Sequence, residues 1–167
     1  EKIHVGVEIP DPREVLPVDV ISEMVSCEPL IGVSECYCRL ARENRGDGAC
    51  AHIRETCFTF NELAQTLIET GLARKIDAQE AVSILRNAEK DGLVHNVDNC
   101  EGHLKALCNC CSDCCPALKT YIAGARNVNS PSRFLVVWNE EKCTNCGTCV
   151  EVCPVQSIEA GNEYPVF

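Results

Sequence analysis

The sequence predicts an α+β fold made of two parts, a helical cysteine-rich domain over residues 1–126 and a small strand-flanked module over residues 127–167. Three observations support this prediction. Apolar residues recur at helical spacing in several segments of the first part. The 15 cysteines occur mainly in three dense blocks, two in the first part and one in the second. A polar stretch, NVNSPS at residues 127–132, has the composition of a linker between the two parts.

The first helix is predicted over residues 18–26, where apolar positions follow helical spacing. Pro29 ends it, because proline lacks the backbone N–H that a helix needs and clashes with the preceding turn. The short apolar segment 30–33 that follows is expected to form a buried strand or a turn. It leads directly into the first block of cysteines.

Two more helices are predicted between the first and second cysteine blocks. Asn61 is a candidate cap for a helix through about Thr70, and Asp77 begins another with a capping-box pattern. Gly92 is a candidate C-cap for the second of these helices. Residues 93–97 then form a short extended stretch.

These two helices and the extended stretch resemble part of a winged helix, but a structural helical hairpin is the favoured interpretation. Residues 61–95 hold six acidic side chains against four lysines and arginines. A helix that enters a DNA groove needs the opposite balance of charge.

The third cysteine block reads C-x2-C-x2-C-x3-C-P over residues 143–154, the ligand run of bacterial-type iron–sulfur ferredoxins. A tight turn presents Cys143, Cys146 and Cys149 to one [4Fe-4S] cluster. The fourth cysteine, Cys153, is expected to start a helix before its proline and to ligate a different cluster. A zinc site built on the first two cysteines is the alternative, and it leaves the rest of the motif unexplained. Strands over 133–138 and 158–167 are expected to flank the motif and make the module ferredoxin-like.

The first block has four thiols, which suffice for one all-cysteine cluster; they are Cys36, Cys38, Cys50 and Cys57. Several buried structural thiols are the alternative. Arg39 is a candidate donor to cluster sulfurs, and an ordinary salt bridge explains it equally well. His52 is expected to lie near the cluster as a hydrogen-bond donor or at the surface.

The second block has five thiols within eight residues, and not all of them can ligate one cubane; they are Cys108, Cys110, Cys111, Cys114 and Cys115. Three of them repeat the spacing C-x2-C-x2-C. In a crossed arrangement, Cys115 completes the cluster of the third block and Cys153 completes that of the second. A separate cluster with a spare or redox-active thiol is the other arrangement. Cys27 and Cys100 stand apart and receive no role.

Composition narrows the class of protein. An odd number of clumped cysteines is unsuited to a disulfide framework and indicates metal clusters in a reducing compartment. The net charge of −10 disfavours nucleic acid and suits docking to basic patches on redox partners. No apolar run approaches about 18 residues, so no membrane span is predicted.

The cysteine order resembles a group of multi-cluster 4Fe-4S binding proteins that are common in anaerobic bacteria and archaea. The likeness covers roughly residues 14 to 160 and includes Cys-Tyr-Cys-Arg at 36–39, Cys-Asn-Cys-Cys at 108–111 and the C-terminal motif. Members end with two ferredoxin motifs, whereas no cysteine follows Cys153 here. Asp113 also stands where the family tends to have a further cysteine. The resemblance implies electron transfer beside larger redox enzymes, and the chain is expected to be a C-terminal fragment.

The function predicted from the sequence is one-electron transfer at low potential, through two or three [4Fe-4S] clusters, to or from a redox partner or a larger oxidoreductase complex. Independent catalysis is not expected, since no substrate pocket or acid–base pair is evident. A cytoplasmic location is predicted, with no nucleic-acid partner and no membrane span. Two alternatives remain at this point: a cluster-based redox or metal sensor, and a zinc-stabilised interaction module.

Overall fold

The computed structural model describes residues 13–15, 17–98, 103–125, 137–162 and 165–166. Its strands are β1 (Arg13–Val15), β2 (Ile31–Glu35), β3 (Glu55–Phe60), β4 (Arg74–Ile76), β5 (Val94–Asp98) and β6 (Ala106–Cys110). Its α-helices are α1 (Val18–Ser26), α2 (Tyr37–Asn44), α3 (Asn61–Glu69), α4 (Ala78–Lys90), α5 (Pro116–Ile122) and α6 (Thr148–Val152). The strands form one antiparallel sheet in the order β1-β5-β6-β3-β2-β4.

The α+β class predicted from the sequence is confirmed, but the first part of the chain is less helical than predicted. The expectation missed β3 and β6, which lie at the centre of the sheet. Cysteine and threonine in β3, and cysteine and asparagine in β6, interrupt the apolar alternation that marks a half-buried strand. The cysteine-rich domain is therefore built on a sheet, with helices on both of its faces.

One face of the sheet carries the hydrophobic core. Helices α1 and α4 pack against each other there and cover Val33, Phe58 and Leu107. All three side chains are 1% exposed or less. Apolar side chains of this size are each worth roughly 1.5–3 kcal/mol when removed from water, so this layer supplies most of the hydrophobic stabilisation.

Helix α3 lies on the opposite face of the sheet, so the predicted hairpin of α3 and α4 is wrong. Gly32 directs its hydrogen toward Ala64 of α3, and a Cβ on it would lie 3.4 Å from the Ala64 methyl group. Its neighbour Val33 faces the α1 and α4 side, because successive strand residues point to opposite faces. Strand β4 lies between α3 and α4 in the sequence, and through it the chain passes from one face of the sheet to the other.

The start of α4 matches the prediction. Asp77 is the N-cap, and its carboxylate accepts a hydrogen bond from the backbone N–H of Glu80 at 2.7 Å. Gly92 follows the helix with a φ of 74°, as a C-terminal glycine cap requires. The predicted cap of α3 is wrong, since Asn61 lies inside the helix and its side-chain amide donates to Glu28 at 2.6 Å.

Replacing Asp77 by alanine is expected to lower the free energy of unfolding by about 1 kcal/mol, because the N–H of Glu80 loses its acceptor. Chemical denaturation followed by circular dichroism measures this change. Glu89→Ala, on an exposed position of the same helix, is the matched control and should leave stability within about 0.5 kcal/mol. Equal losses in both variants would contradict the capping role.

The C-terminal region contains no buried residue among residues 137–162. Helix α6 precedes Cys153, whereas the sequence predicted a helix starting at it. Most of the strand expected over 133–138 lies outside the described residues. Glu159 and Val166 form an antiparallel bridge with two backbone hydrogen bonds of 2.9 Å, so the last segment pairs with itself. Throughout the described parts of the chain, no helix has the length and apolarity needed to cross a membrane.

Candidate metal centres

Two central strands bring cysteines from the first and second blocks together. Cys57 on β3 lies directly opposite Cys108 on β6 in the antiparallel register. Cys110 is two residues further along β6, so its side chain points to the same face as that of Cys108. This is the face that carries α3, and the three thiols occupy the part of it near α5.

Two helix N-termini add a thiol each to this arrangement. Cys36 is the N-cap of α2, and Cys115 is the N-cap of α5, where Pro116 occupies the first helical position. The thiol of Cys110 and the backbone N–H groups of Leu118 and Ala117 donate to the Cys115 sulfur and lower its pKa to about 6. Free N–H groups at a helix start stabilise the thiolate, which is the form that binds metal.

We call these five residues the sheet thiol group: Cys36, Cys57, Cys108, Cys110 and Cys115. Their sulfurs form a continuous series of contacts in which Cys57 touches Cys36 and Cys108, and Cys110 touches Cys108 and Cys115. Hydrogen bonds from the thiols of Cys110 and Cys57 lower the pKa of Cys108 to about 4. The same hydrogen bonds raise the pKa of the two donors, Cys57 and Cys110.

A second set, which we call the compact thiol group, consists of Cys50, Cys111 and Cys114. Their sulfur atoms all lie within 4.8 Å of one another, and the Sγ atoms of Cys50 and Cys111 are 3.7 Å apart. Cys111 and Cys114 are buried against Ala88 of α4 and Leu93. Cys38 packs against the same cluster from the first turn of α2.

Hydrogen bonding shifts the pKa values of the thiols in the compact thiol group in different directions. Burial raises the pKa of Cys114 to about 12, and a hydrogen bond with Cys50 adds to the rise. Burial also acts on Cys50, but donation from the backbone of His52 and from the Cys114 thiol outweighs it and lowers the Cys50 pKa. Cys50 is therefore the thiol of this pair that ionises first.

Arg39 lies between the two thiol groups and is only 2% exposed. Its guanidinium donates to the hydroxyl oxygen of Thr56 at 2.7 Å and to the backbone carbonyl of Asn109 at 3.1 Å. Burial acts to lower the pKa of Arg39, but negative charge on Cys36 and Cys111 outweighs it and raises the pKa. The sequence left open whether Arg39 serves thiolates or a salt bridge with an acid, and its buried surroundings contain thiols from both groups.

A buried polar network supports this arginine from the core side of the sheet. Asn109 is fully buried, and its amide donates to the carbonyl of Thr56 at 2.7 Å. Its side-chain oxygen lies 2.5 Å from Nδ1 of His95, which is also buried. The sequence did not mark Asn109 or Thr56 as functional. The alternation of side chains along β6 could have marked Asn109, because it places this residue on the opposite face of the sheet from Cys108 and Cys110.

The C-terminal motif has the turn that its spacing predicts. Asn145 and Gly147 adopt positive φ values of 51° and 77°, which reverse the chain between successive cysteines. Hydrogen bonds from Thr148 lower the pKa of the exposed Cys146 to about 7. The backbone N–H of Ser157 donates to the Cys153 sulfur at 3.4 Å. The lowered pKa of the accessible Cys146 and the N–H donor on Cys153 fit thiolate ligation by these two residues.

The C-terminal motif contacts the sheet thiol group. Val155, two residues after Cys153, packs against the buried cluster of Cys110, Cys115 and Leu118. This contact places the end of the motif beside α5 and one end of the sheet thiol group.

The grouping of thiols in space differs from their grouping in the sequence. Each sheet-domain group draws members from both the first and the second block, because the pairing of β3 with β6 interleaves them. Cys27 is exposed, and Cys100 lies outside the described residues. His52 is 3.2 Å from the carboxylate of Asp91, so its side chain is used in an ion pair when protonated.

Removing iron from the reduced protein is expected to unfold residues 137–162 while the α1–α4 core layer stays folded. The C-terminal region buries no side chain of its own, so ligation must supply its folding free energy. Hydrogen exchange by mass spectrometry, before and after chelation, measures this difference. Unchanged protection in 137–162 after complete iron loss would contradict it.

Residues 136–159 match the 4Fe-4S binding domain family. The chain is 36% identical over 66 residues to the NADH-quinone oxidoreductase subunit I of Pelobacter propionicus, covering 36% of this chain and 34% of that protein. It is 42% identical over 57 residues to a subunit of the ion-translocating oxidoreductase complex of Methanosarcina acetivorans, covering 34% of this chain and 20% of that protein. The chain thus spans about a third or less of the length of these curated relatives. No solved structure matches. The prediction of a ferredoxin-type iron–sulfur site is confirmed, and the chain contains a 4Fe-4S binding domain at its C-terminal end.

Proposed function

We propose that the protein is an iron–sulfur electron carrier or electron-transfer subunit, which relays single electrons through [4Fe-4S] clusters to or from a partner redox enzyme. The observation that carries this proposal is the contact of Val155 with Cys110 and Cys115, which sets the C-terminal 4Fe-4S domain against a second group of thiols. Adjacent clusters are what a relay requires. Both relatives named above are subunits of oxidoreductase complexes, which supports a partner of that kind.

The first cluster is held by Cys143, Cys146 and Cys149, with Cys153 as the fourth thiol available in this chain. The chain turns at Asn145 and Gly147, on either side of Cys146, and α6 carries Cys149. When bound, the cluster supplies a one-electron couple. The chain's own groups hold it in place, and the N–H of Ser157 stabilises negative charge on the Cys153 sulfur.

The second cluster is held by the sheet thiol group. The series of sulfur contacts extends across β3, β6 and two helix starts, a spread that suits a cubane, in which each thiolate binds a different iron. Four of the five thiols suffice, so one is spare. The N–H donors at the start of α5 and the buried cation of Arg39 offset the thiolate charge.

The two proposed clusters leave Cys38, Cys50, Cys111 and Cys114 of the 13 thiols that the sequence marked as cofactor ligands. A third cubane there is the remaining option from the sequence prediction of two or three clusters. We also propose the division into a sheet-based domain over residues 1–126 and a ferredoxin-like module over residues 127–167.

The acidic surface shapes both the potential and the partner. A net charge of −10 disfavours adding an electron to clusters that already carry thiolate charge, so low potentials are expected. The same charge favours a partner with a basic docking patch. Tyr37, between Cys36 and Cys38 in the chain, is 77% exposed and offers an aromatic contact close to the sheet thiol group. A location in the cytoplasm of an anaerobe is part of this proposal.

An anaerobic redox titration, followed by electron paramagnetic resonance and circular dichroism, tests the proposal. The expected result is reversible one-electron couples at low potential with little change in secondary structure. Couples found only at strongly positive potentials would overturn the low-potential relay. A large structural change with iron release on oxidation would instead establish a sensor.

A matched pair of variants assigns the couples. Cys108→Ser removes a central member of the sheet thiol group and should delete one couple while leaving that of the C-terminal domain. Cys27→Ser removes an exposed thiol outside both groups and should change neither. Retention of both couples in Cys108→Ser would exclude a cluster on the sheet that requires this cysteine.

A further inference from the structure

We infer that Cys38, Cys50, Cys111 and Cys114 form a mononuclear zinc site, separate from the iron–sulfur clusters. This goes beyond the proposed electron transfer, because zinc has no redox chemistry in proteins and takes no part in a relay. The site is assigned from the spacing of the thiols, their burial and the charge beside them.

The spacing of the compact thiol group matches a single tetrahedral ion. A Zn–S bond of about 2.3 Å places two thiolates about 3.8 Å apart at the corners of a tetrahedron. The Sγ atoms of Cys50 and Cys111 are 3.7 Å apart, and Cys114 lies within 4.8 Å of both. The three sulfurs of the compact thiol group are all close to one another, as they would be around one ion, whereas the contacts in the sheet thiol group run in a series from each sulfur to the next.

Cys38 is the fourth ligand that the packing offers. It lies against the buried cluster of Cys111 and Cys114, on the first turn of α2. Its thiol also hydrogen-bonds with Cys36 and lies near Cys108 and Cys115, so Cys38 stands at the boundary with the sheet thiol group. Four thiolates in tetrahedral geometry are a donor set that selects zinc or iron–sulfur, and the compact spacing favours zinc.

The surroundings are suited to the charge of such a site. Zinc with four thiolates carries two negative charges, and the buried guanidinium of Arg39 contacts the sulfurs of Cys111 and Cys50. A backbone N–H donor from His52 also reaches the Cys50 sulfur. Together these groups stabilise a buried thiolate site without another metal.

The position of the site gives it a structural role. Cys50 lies in the connection between α2 and β3, 61 residues before Cys111, which follows β6 directly. An ion between them joins α2, this connection and the segment before α5. That segment carries Cys115, and the β3–β6 pair carries Cys57 and Cys108, so the zinc site holds the elements that present the sheet thiol group.

The test is made on the full chain, purified anaerobically from cells grown with added zinc. Elemental analysis should find one zinc per chain. X-ray absorption at the zinc edge should show a single shell of four sulfur ligands at about 2.3 Å. Absence of zinc, or a shell containing nitrogen or oxygen ligands, would overturn the assignment, and this measurement needs no variant.

Cys50→Ser separates the zinc site from the clusters. We expect this variant to lose at least tenfold in zinc affinity while iron and acid-labile sulfide per chain stay unchanged. The control Cys27→Ser should keep the zinc affinity, the iron content and the sulfide content. A loss of about four iron and four sulfide in Cys50→Ser, with no change in zinc, would show that these thiols hold a cubane instead. Failure of the relay would leave the zinc result intact, since it depends only on metal content and spectra.

Discussion

Replacing Arg39 by methionine is expected to lower the free energy of unfolding by about 3–5 kcal/mol. The methionine fills much of the volume but removes a buried cation whose charge is balanced by the surrounding thiolates. Without it, negative charge on Cys36 and Cys111 is left uncompensated, and the hydroxyl of Thr56 and the carbonyl of Asn109 lose a donor. Anaerobic denaturation of the metal-loaded protein measures the change.

Two further substitutions make the Arg39 result specific. Arg39→Lys keeps the charge but not the planar fork that reaches both partners, so it should recover part of the lost stability. Arg45→Met, at a side chain that is 63% exposed and paired with Asp47, is the matched control and should cost at most about 1 kcal/mol. Equal stability of Arg39→Met and Arg45→Met would contradict a buried charge shared by the two thiol groups.

Replacing Cys146 by alanine is expected to remove one whole cluster, or about four iron and four sulfide per chain. Cys146 is exposed and belongs to the 4Fe-4S binding domain, so its loss leaves the hydrophobic core on the sheet untouched. The electron paramagnetic resonance signal of the reduced C-terminal cluster should disappear, and residues 137–162 should lose protection from hydrogen exchange. The signal assigned to the sheet thiol group should persist.

Cys27→Ala is the control for this substitution, because it also removes an exposed thiol but from outside the motif. It should keep the iron content and both signals. Full iron content in Cys146→Ala would contradict ligation by this cysteine. Loss of both signals would show that the two clusters do not assemble independently.

The local elements of this fold were predictable where short-range rules decide them. Helix α1, the capped start of α4 and the strand after Gly92 all follow from periodicity and capping within a few residues. Strands β3 and β6 were not predicted, because their cysteines and polar residues hide the alternation of a half-buried strand. Their place at the centre of the sheet depends on non-local pairing.

In the candidate site too, features set by neighbouring residues were predictable and features set by non-local pairing were not. The C-terminal motif is contiguous, so its spacing alone predicted a cluster, and the family match agrees. The thiols of the sheet domain could be identified as ligands from their density but not sorted into groups. Their sorting depends on the register that sets Cys57 opposite Cys108 and on the fold that brings Cys50 to Cys111.

The most direct test of the relay is the content of iron and acid-labile sulfide per chain in anaerobically purified protein. Two [4Fe-4S] clusters, one in the C-terminal domain and one on the sheet thiol group, predict about eight of each. About four of each would leave only the C-terminal cluster and contradict the relay. About twelve of each would retain the relay but place a third cubane where we infer zinc.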